Sequence, residues 1–482
     1  MASCSFSKVS LRGTFLEFWP FGTELYARLF YVKSDDGTDM LLASMDLGST
    51  SPAATDRFRE GVAAATGIHP DHIVYHELQI HAAPGADVIR GETVDRIVER
   101  VVPEIKAMMQ NAVPFTCDVC EAYAGTRFSY NREQYVHGLG GVTVWAGLKY
   151  DEKGRPWSQD PDRMLLRGYK PDLPVFDKPI YFDNPNDPLA YLFVFRDMDG
   201  GVIGTMSRFA AHPDIGVLFE SHHVSDYKFH FDWTGYLCEY MEAEFGAPAM
   251  YINGPCANLA MKKGFEGFVT YEKSDEECRR VGEEFAAYLV EEYHKKHVPL
   301  GDANQLKVIR FQSELPIHED FPRDPAVFTR DKANWDVYYA QEDLDAAIAR
   351  GDSPAAIKTL IDDRFRATYR ITYIDEQVFF DEETIRRGTA MATVAAFRLG
   401  NYLFIGIPGE SMTEMSTWMR STFTGVKTIP MDQVDGYMGY MATPTSMTLG
   451  GYTYWNSWVS REAIPKLKDD MAATIHAFLA EE

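Results

Sequence analysis

The sequence lacks the features that mark membrane-spanning, secreted and nucleic-acid-binding proteins. No apolar run reaches the roughly 18 residues that a membrane span requires. The N-terminal stretch MASCSFSKVSLRGTFLEFW has no basic start followed by an apolar run, so it does not resemble a secretion signal. The formal net charge of −24 disfavours nucleic acid and anionic membrane surfaces as partners. We therefore expect a soluble, cytoplasmic protein that acts on a small molecule.

Cysteine is scarce, with six residues in a chain of 482. Cys117 and Cys120 form a single C-x-x-C, and the others are isolated. A zinc site of this type needs a second pair, and a redox motif needs its own βαβ setting. We expect no disulfide framework and interpret the pair as buried thiols in a strand.

Two common catalytic signatures are also missing. The stretch HGLGGV lacks the G-x-G-x-x-G spacing and the strand-then-helix setting of a dinucleotide site. There is no G-x-S-x-G, so a nucleophilic serine of the α/β-hydrolase type has no support.

Short apolar runs alternate with longer amphipathic stretches, which is typical of an α/β protein. TDMLLASMDLGS predicts a buried strand, followed by a helix over 51–66 and a strand within VYHELQIHAAP. GDSPAAIKTLIDDRFRATY predicts a helix entered through Ser353 and Pro354. We expect a single catalytic domain over 1–482, in which the less regular region at about 300–380 is an insertion or a small subdomain covering a site.

Histidine and glutamate stand where strands are predicted to end. His81 and His212 are each closely followed by proline, and Glu410 follows the strand of NYLFIGIPGES. Side chains at strand ends meet in a cleft at the sheet edge, and imidazole and carboxylate are metal ligands. Alternation along the first strand places Glu77, Gln79 and His81 on one face. A second cluster, His222, His223 and His230, offers reserve ligands.

Tyrosines are dense in GYMGYMATPTSMTLGGYTYWNSW, where Tyr437, Tyr440, Tyr452 and Tyr454 stand among glycine and threonine. Tyrosines surrounded by glycine and threonine are more typical of the wall of a polar ligand pocket than of an apolar core.

The order of these motifs resembles the neutral, non-lysosomal ceramidase family, whose catalytic domain is a zinc-dependent amidohydrolase. The similar segments are TGIHPDHIVYHELQIHAAP, Asn131–Arg132 in SYNREQYV, SRFAAHPDIG, FDWTGYL and GIPGES. Tyr440 and Tyr452 show the twelve-residue spacing of the family's zinc-contacting and substrate-contacting tyrosines. The resemblance implies an α/β fold with a mixed sheet flanked by helices and a metal cleft at strand ends.

The resemblance assigns His212, Glu410 and Tyr440 as metal ligands and His81, Arg132 and Tyr452 as catalytic residues. Gln79 stands where the family has its first zinc histidine. An amide oxygen binds zinc less well than imidazole does. Zinc is therefore expected, with manganese or another divalent ion as the alternative, and Glu77, His222 or His223 could complete the ligand set. The family's immunoglobulin-like C-terminal domain finds little room after the tyrosines, which disfavours ceramide itself as the substrate.

Three functional hypotheses follow. The first is a metal-dependent hydrolase that cleaves an amide, or an ester, in a small N-acyl or sugar-like substrate through metal-activated water. In it His81 and Tyr452 donate hydrogen bonds to the oxyanion, and Arg132 holds a polar part of the substrate. The second is a metal-dependent isomerase, lyase or glycosidase acting on a carbohydrate. The third is a non-catalytic ligand-binding protein. The oligomeric state is left open.

Overall fold

The structure is a computed structural model that describes most of the chain. The described residues are 1–14, 20–85, 92–136, 140–143, 149–153, 156–158, 180–181, 184–217, 227–264, 269–376 and 381–481. The predicted reserve ligands His222 and His223 lie outside these ranges.

Strands and helices both occur throughout the described chain, as expected of an α/β protein. The strands are β1 Ser3–Ser10, β2 Tyr26–Lys33, β3 Asp39–Met45, β4 Ile73–Glu77, β5 Val113–Tyr123, β6 Ser129–Asn131, β7 Glu133–Val136, β8 Gly140–Thr143, β9 Lys149–Tyr150, β10 Pro156–Ser158, β11 Ile180–Tyr181, β12 Leu189–Asp197, β13 Val202–Phe209, β14 Ala249–Asn253, β15 Leu259–Met261, β16 Val298–Pro299, β17 Leu306–Pro316, β18 Thr389–Leu399, β19 Tyr402–Gly406, β20 Glu410–Ser411, β21 Lys427–Met431 and β22 Tyr440–Met441.

The helices differ widely in length. They are α1 Pro52–Thr66, α2 Glu92–Asn111, α3 Gly125–Phe128, α4 Asp232–Phe245, α5 Tyr271–Lys295, α6 Arg330–Arg350, α7 Pro354–Glu376, α8 Glu382–Arg387, α9 Thr413–Thr422, α10 Pro444–Leu449, α11 Tyr452–Trp455 and α12 Ala463–Ala480. The predicted helix over 51–66 is α1, whose cap is the Ser51 side chain accepting a hydrogen bond from the Ala54 N–H. The predicted helix after Ser353 is α7.

Two sheets form the centre of the described structure. The larger has nine strands in the order β14-β13-β12-β5-β1-β2-β3-β4, with β16 also paired to β5. It is mixed, because β13–β14 and β3–β4 pair in parallel and its other pairs are antiparallel. The second sheet has the order β17-β18-β19-β21. A large mixed sheet flanked by helices was expected, and it is confirmed.

Alternating side chains build separate cores on the two faces of each sheet. In β2, Leu29 and Tyr31 face the core shared with helices α1, α2, α4 and α5, whereas Phe30 and Val32 face the second sheet. In β18, Phe397 joins the core between the sheets, and Val394 packs toward α9 and α12. The layers therefore run helix, sheet, sheet, helix. The sequence analysis did not foresee the second sheet.

The region at about 300–380 contributes β17 to the second sheet and then forms the antiparallel helix pair α6 and α7. Whether it is an insertion into a single domain stays a prediction. All six cysteines are buried free thiols, and Cys117 and Cys120 lie in β5, as predicted. Among the described residues, no helix is long and apolar enough to cross a membrane.

Candidate functional site

Three of the predicted ligands come together from distant parts of the chain. His212 follows β13, and its backbone N–H donates to the Leu259 carbonyl at 3.1 Å. Glu410 begins β20 and pairs in register with Tyr440 of the parallel strand β22. All three are at least 99% buried. We call His212, Glu410 and Tyr440 the His–Glu–Tyr cluster.

A glycine turn fixes Glu410 within this cluster. Gly409 has φ +80°, a left-handed conformation that glycine adopts without a Cβ penalty. A Cβ at Gly409 would lie 2.6 Å from the Gly439 carbonyl oxygen. The Glu410 N–H donates to that same carbonyl at 2.8 Å. The Gly at this turn therefore allows the backbones of β20 and β22 to approach closely.

Hydrogen bonds constrain the protonation of the His212 ring. Its Nδ1 lies 2.7 Å from the Cys256 carbonyl oxygen, which only accepts, so Nδ1 carries a proton. Nε2 lies 2.9 Å from Glu410 Oε2, which also accepts, so a proton or a cation is needed between these two atoms. Arg132 Nη2, 3.1 Å from Nε2, already has acceptors in the Tyr440 hydroxyl and the Ala257 carbonyl.

Arg132 lies against the same cluster. Its Nη2 donates to the Tyr440 hydroxyl at 2.7 Å and to the Ala257 carbonyl at 2.8 Å, and its Nη1 lies 3.5 Å from Asp214 Oδ2. Burial acts to lower the pKa of Arg132, but the negative charge of neighbouring oxygen groups raises it above its ordinary value. Arg132 is thus a permanent buried cation that orients Tyr440. The sequence analysis missed Asp214, which stands two positions after His212 in HPD.

Glu410 is ionised in this setting. Burial alone would raise the pKa of its carboxyl, but hydrogen bonds from His212 and Tyr437 hold that pKa below its ordinary value. The Tyr437 hydroxyl donates to Glu410 Oε1 at 2.7 Å. Tyr437 was predicted to line a pocket, and this contact gives it a second role in orienting the carboxylate.

The strand that was expected to carry Gln79 and His81 ends earlier, at Glu77. Gln79 has φ +57°, a left-handed conformation that interrupts the extended chain and its alternation of faces. Glu77 is directed elsewhere, since its Oε1 accepts from the Thr50 N–H at 2.9 Å. The expectation that Glu77, Gln79 and His81 share one strand face is therefore wrong.

His81 nevertheless reaches the cluster from the turn that follows. Its N–H donates to the Pro213 carbonyl at 3.1 Å, and its ring centre lies 5.4 Å from that of His212. His81 keeps an exposed surface. Desolvation of the ring by the surrounding protein, and then the charge of His212, lower the pKa of His81 to about 4. The imidazole is therefore neutral at neutral pH.

Tyr452 completes the group as the first residue of α11. Its ring centre lies 5.3 Å from that of Tyr440 at nearly a right angle, and the Arg132 guanidinium carbon lies 6.0 Å from the Tyr452 ring centre. The structure thus brings together His81, Arg132, His212, Glu410, Tyr440 and Tyr452, all predicted from the sequence.

The donor set of the His–Glu–Tyr cluster fits a divalent metal. It offers an imidazole nitrogen, a carboxylate oxygen and a phenol oxygen, and a cation could take the place of the proton between His212 Nε2 and Glu410 Oε2. Gln79 Oε1 is buried without a hydrogen-bond partner in the described part of the chain. Within those residues no three His, Cys, Asp or Glu side chains form a metal cluster, so tyrosine and amide oxygens would have to contribute.

His230, the described member of the predicted reserve cluster, has other partners. Its Nε2 lies 2.8 Å from Asp275 Oδ1, and its Nδ1 accepts from the Asp232 N–H at 2.8 Å. Both ring nitrogens are therefore engaged in a separate network.

Comparison with known proteins gives one kind of match. No protein-family model matches the chain, and neither does any curated protein sequence. Among solved structures, the neutral ceramidase from Pseudomonas aeruginosa has a TM-score of 0.61 and 15% identity, covering 100% of this chain and 75% of that chain. A ceramidase complexed with C2 has the same TM-score and identity, covering 99% of this chain and 75% of that one.

Identity this low shows the fold and leaves the activity open. The architecture built above, a large mixed sheet flanked by helices, is shared with these structures over the whole length of the chain. The chain has a distant neutral-ceramidase-like fold.

Proposed function

We propose that this protein is a metal-dependent hydrolase that cleaves an amide bond in a small polar N-acyl or sugar-like substrate. The observation that carries the proposal is the meeting of an imidazole nitrogen, a carboxylate and a phenol at His212, Glu410 and Tyr440, where a cation could take the place of the proton between His212 Nε2 and Glu410 Oε2. The ceramidase structures with the same fold support hydrolysis of an amide.

His212, Glu410 and Tyr440 would hold the metal, with Gln79 Oε1 as a further candidate ligand. A divalent ion bound there supplies a Lewis acid and lowers the pKa of water from about 15.7 toward about 7. Zinc is the ion that this donor set favours, and manganese is the alternative.

The surrounding residues orient the substrate and stabilise developing charge. His81 is neutral, so it presents an N–H that can donate to the oxygen of the tetrahedral intermediate. The Tyr452 hydroxyl is the second such donor. Arg132 uses its donors on Tyr440, Ala257 and Asp214, so we assign it to fixing the cluster and not to gripping the substrate.

The substrate class follows from the aromatic and polar surroundings. Tyr437 and Tyr452 are partly exposed and contact Glu410 and the buried Tyr440, respectively. Tyr454 is also partly exposed, but its ring lies against Arg366 and His318. Phenol rings present a flat apolar face and a hydroxyl that exchanges hydrogen bonds. Such a surface favours a compact ligand with its own hydroxyl or amide groups over a long alkyl chain. The cytoplasmic location stays a prediction.

The decisive experiment compares the wild type with Glu410→Gln, which removes the charge and keeps the shape. The control is Glu414→Gln, an exposed carboxylate four residues along in α9. Metal content would be measured by elemental mass spectrometry, and amide cleavage on a panel of N-acylated amino sugars and amino acids. We expect about one ion per chain in the wild type and the control, and loss of both the ion and the activity in Glu410→Gln.

Other results would select the other hypotheses. A bound ion with no amide cleavage, together with conversion of unacylated sugars, would favour the isomerase, lyase or glycosidase. No ion in either protein after incubation with zinc or manganese salts would favour the non-catalytic binding protein.

A further inference from the structure

Helix α7 presents a buried stripe of charged side chains to the segment that carries Tyr452. Lys358, Asp362 and Arg366 recur every four residues and therefore lie on one face of the helix. Their exposed fractions are 1%, 6% and 3%. Charged residues are rarely buried this deeply unless each has defined partners. We call residues 443–457, which include α10 and α11, the tyrosine segment.

Asp362 contacts the N-terminal side of α11. Its Oδ1 accepts from the Gly451 N–H at 3.2 Å and from Trp455 Nε1 at 2.6 Å. Lys358 Nζ lies 2.7 and 2.6 Å from the two carboxylate oxygens. One carboxylate thus joins a backbone group just before Tyr452 to a side chain three residues after it.

Two glycines make this approach possible. Gly450 and Gly451 have φ +77° and +89°, values that residues with a Cβ adopt only at a cost in free energy. A Cβ at Gly450 would lie 2.2 Å from Asp362 Oδ2. Glycine is therefore required at both positions, because the chain must pass close to the Asp362 carboxylate immediately before α11 begins.

The other end of α11 is held from the same helix. Arg366 Nη1 donates to the Tyr454 and Ser457 carbonyls at 2.6 and 2.7 Å, and so joins the last turn of α11 to the residues that follow it. The Phe365 and Trp455 rings stack, with centres 4.3 Å apart and planes 16° apart. A helix of four residues cannot be stable alone, so these contacts supply its order.

We propose that Asp362 is a positioning residue for Tyr452. By fixing Gly451 and Trp455 on either side, it sets the Tyr452 ring against Tyr440 and Arg132. This inference rests on the proposed function, because it assigns Tyr452 to the reacting centre. Asp362 itself contacts no reacting group and acts only through the segment.

An ion pair that is merely structural would have a different signature. A buried pair such as Lys358–Asp362 contributes little net stability, because desolvation offsets the attraction, and apolar replacements are often neutral. If the pair has no positioning role, any well-packed replacement of both residues should preserve activity. If Asp362 positions Tyr452, the replacement must keep the Oδ1 acceptor.

The test compares two double variants that both remove the ion pair. Lys358→Met with Asp362→Asn keeps an acceptor for Gly451 and Trp455, and Lys358→Met with Asp362→Leu does not. Glu284→Ala, which removes an exposed carboxylate paired with Arg280 on α5, is the matched control. Trp455→Phe, which removes the Nε1 donor and keeps an aromatic ring, is a second variant should the leucine protein fail to fold.

Hydrogen exchange of residues 443–457, followed by mass spectrometry, gives a readout that needs no substrate. We expect exchange at least about ten times faster in the leucine variant than in the asparagine variant, an intermediate rate in Trp455→Phe, and no change in Glu284→Ala. With a substrate in hand, kcat should fall about 10- to 100-fold in the leucine variant, with KM little changed, and stay within about threefold of wild type in the asparagine variant.

Equal exchange and equal kcat in the two double variants would overturn the inference, as would faster exchange without loss of kcat. If the wild type cleaves no amide, the proposed function fails, whereas the exchange comparison still decides whether Asp362 orders the segment.

Discussion

The two halves of the candidate site are held in place by different means. The His–Glu–Tyr cluster is fixed by backbone contacts, since Glu410 and Tyr440 are register partners in β20 and β22 and His212 is anchored to the β15 strand. The tyrosine segment is fixed by side chains, mainly Asp362, Phe365 and Arg366 from α7. The His–Glu–Tyr cluster thus depends on the sheet core, and the tyrosine segment depends on a helix that packs on it from outside.

This difference separates two properties of the site. Backbone pairing leaves few variants that move a ligand without damaging the fold. A side-chain clamp can be changed one contact at a time while the sheets remain intact. We therefore expect variants near the cluster to change stability and metal content together, and variants in α7 to change turnover with smaller effects on stability.

The largest effect is expected from Arg132→Met. Arg132 is 2% exposed and faces Asp214, which is 3% exposed. Removing Arg132 takes one of two buried cations from Asp214, the other being Lys263, and removes the donor of Tyr440 and of the Ala257 carbonyl. Breaking a buried ionic pair typically costs about 3–5 kcal/mol, and we expect the lower end of that range because Lys263 remains. Denaturant unfolding would measure the loss. Arg127→Met, at an exposed arginine, is the control and should cost less than about 1 kcal/mol. Equal losses in the two variants would show that the cluster does not need its buried cation.

Glu133, which follows Arg132 and contacts the tyrosine segment, makes the stability of that half depend on pH. Glu133 is buried, and its Oε2 accepts from the Ser446 hydroxyl of α10 at 3.1 Å. Burial, and then the charge of Glu414, raise its pKa from 4.5 to about 7. A raised carboxyl pKa means that the stability it confers is full below pH 4.5 and is lost as the pH rises through 7.

Glu133→Gln should therefore match the wild type at low pH and exceed it at high pH. We expect the unfolding free energies to agree near pH 4.5, and the variant to be more stable by up to about 3 kcal/mol at pH 8.5. Chemical denaturation of both proteins at pH 4.5 and pH 8.5 measures these unfolding free energies. A constant difference across that range would mean that Glu133 does not titrate near neutrality.

A third variant, Gly409→Ala, tests the backbone pairing of β20 and β22. The Cβ would meet the Gly439 carbonyl at 2.6 Å, and the left-handed φ adds strain of about 1–3 kcal/mol. We expect a lower melting temperature together with weaker zinc binding, because the shift moves Glu410. Gly425→Ala is the control, since a Cβ there meets nothing within 4 Å. Unchanged zinc affinity in Gly409→Ala would argue against rigid placement of Glu410.

The sequence predicted which residues lie close together better than it predicted the contacts that hold them there. Resemblance to a motif order identified His212, Glu410, Tyr440 and Tyr452, which the structure brings together. It could not show that Gln79 takes a left-handed conformation and ends the strand early, because that turn depends on packing between distant segments. The role of Asp362 could not be predicted for the same reason, since a Lys-Asp pair four residues apart on a helix usually lies in solvent.

The smallest effect on global stability is expected from Phe365→Leu. This variant tests most directly whether the His–Glu–Tyr cluster and the tyrosine segment are held independently. The substitution keeps an apolar side chain and removes only the stack on Trp455, worth about 0.5–1.5 kcal/mol. If the two halves are held independently, metal content should stay at the wild-type level while hydrogen exchange in 443–457 becomes faster. Phe397→Leu removes a similar stack, on Phe404 in the core between the sheets, and should not affect that segment. Loss of metal in Phe365→Leu would show that the helix also supports the His–Glu–Tyr cluster, and the two halves would then act as one unit.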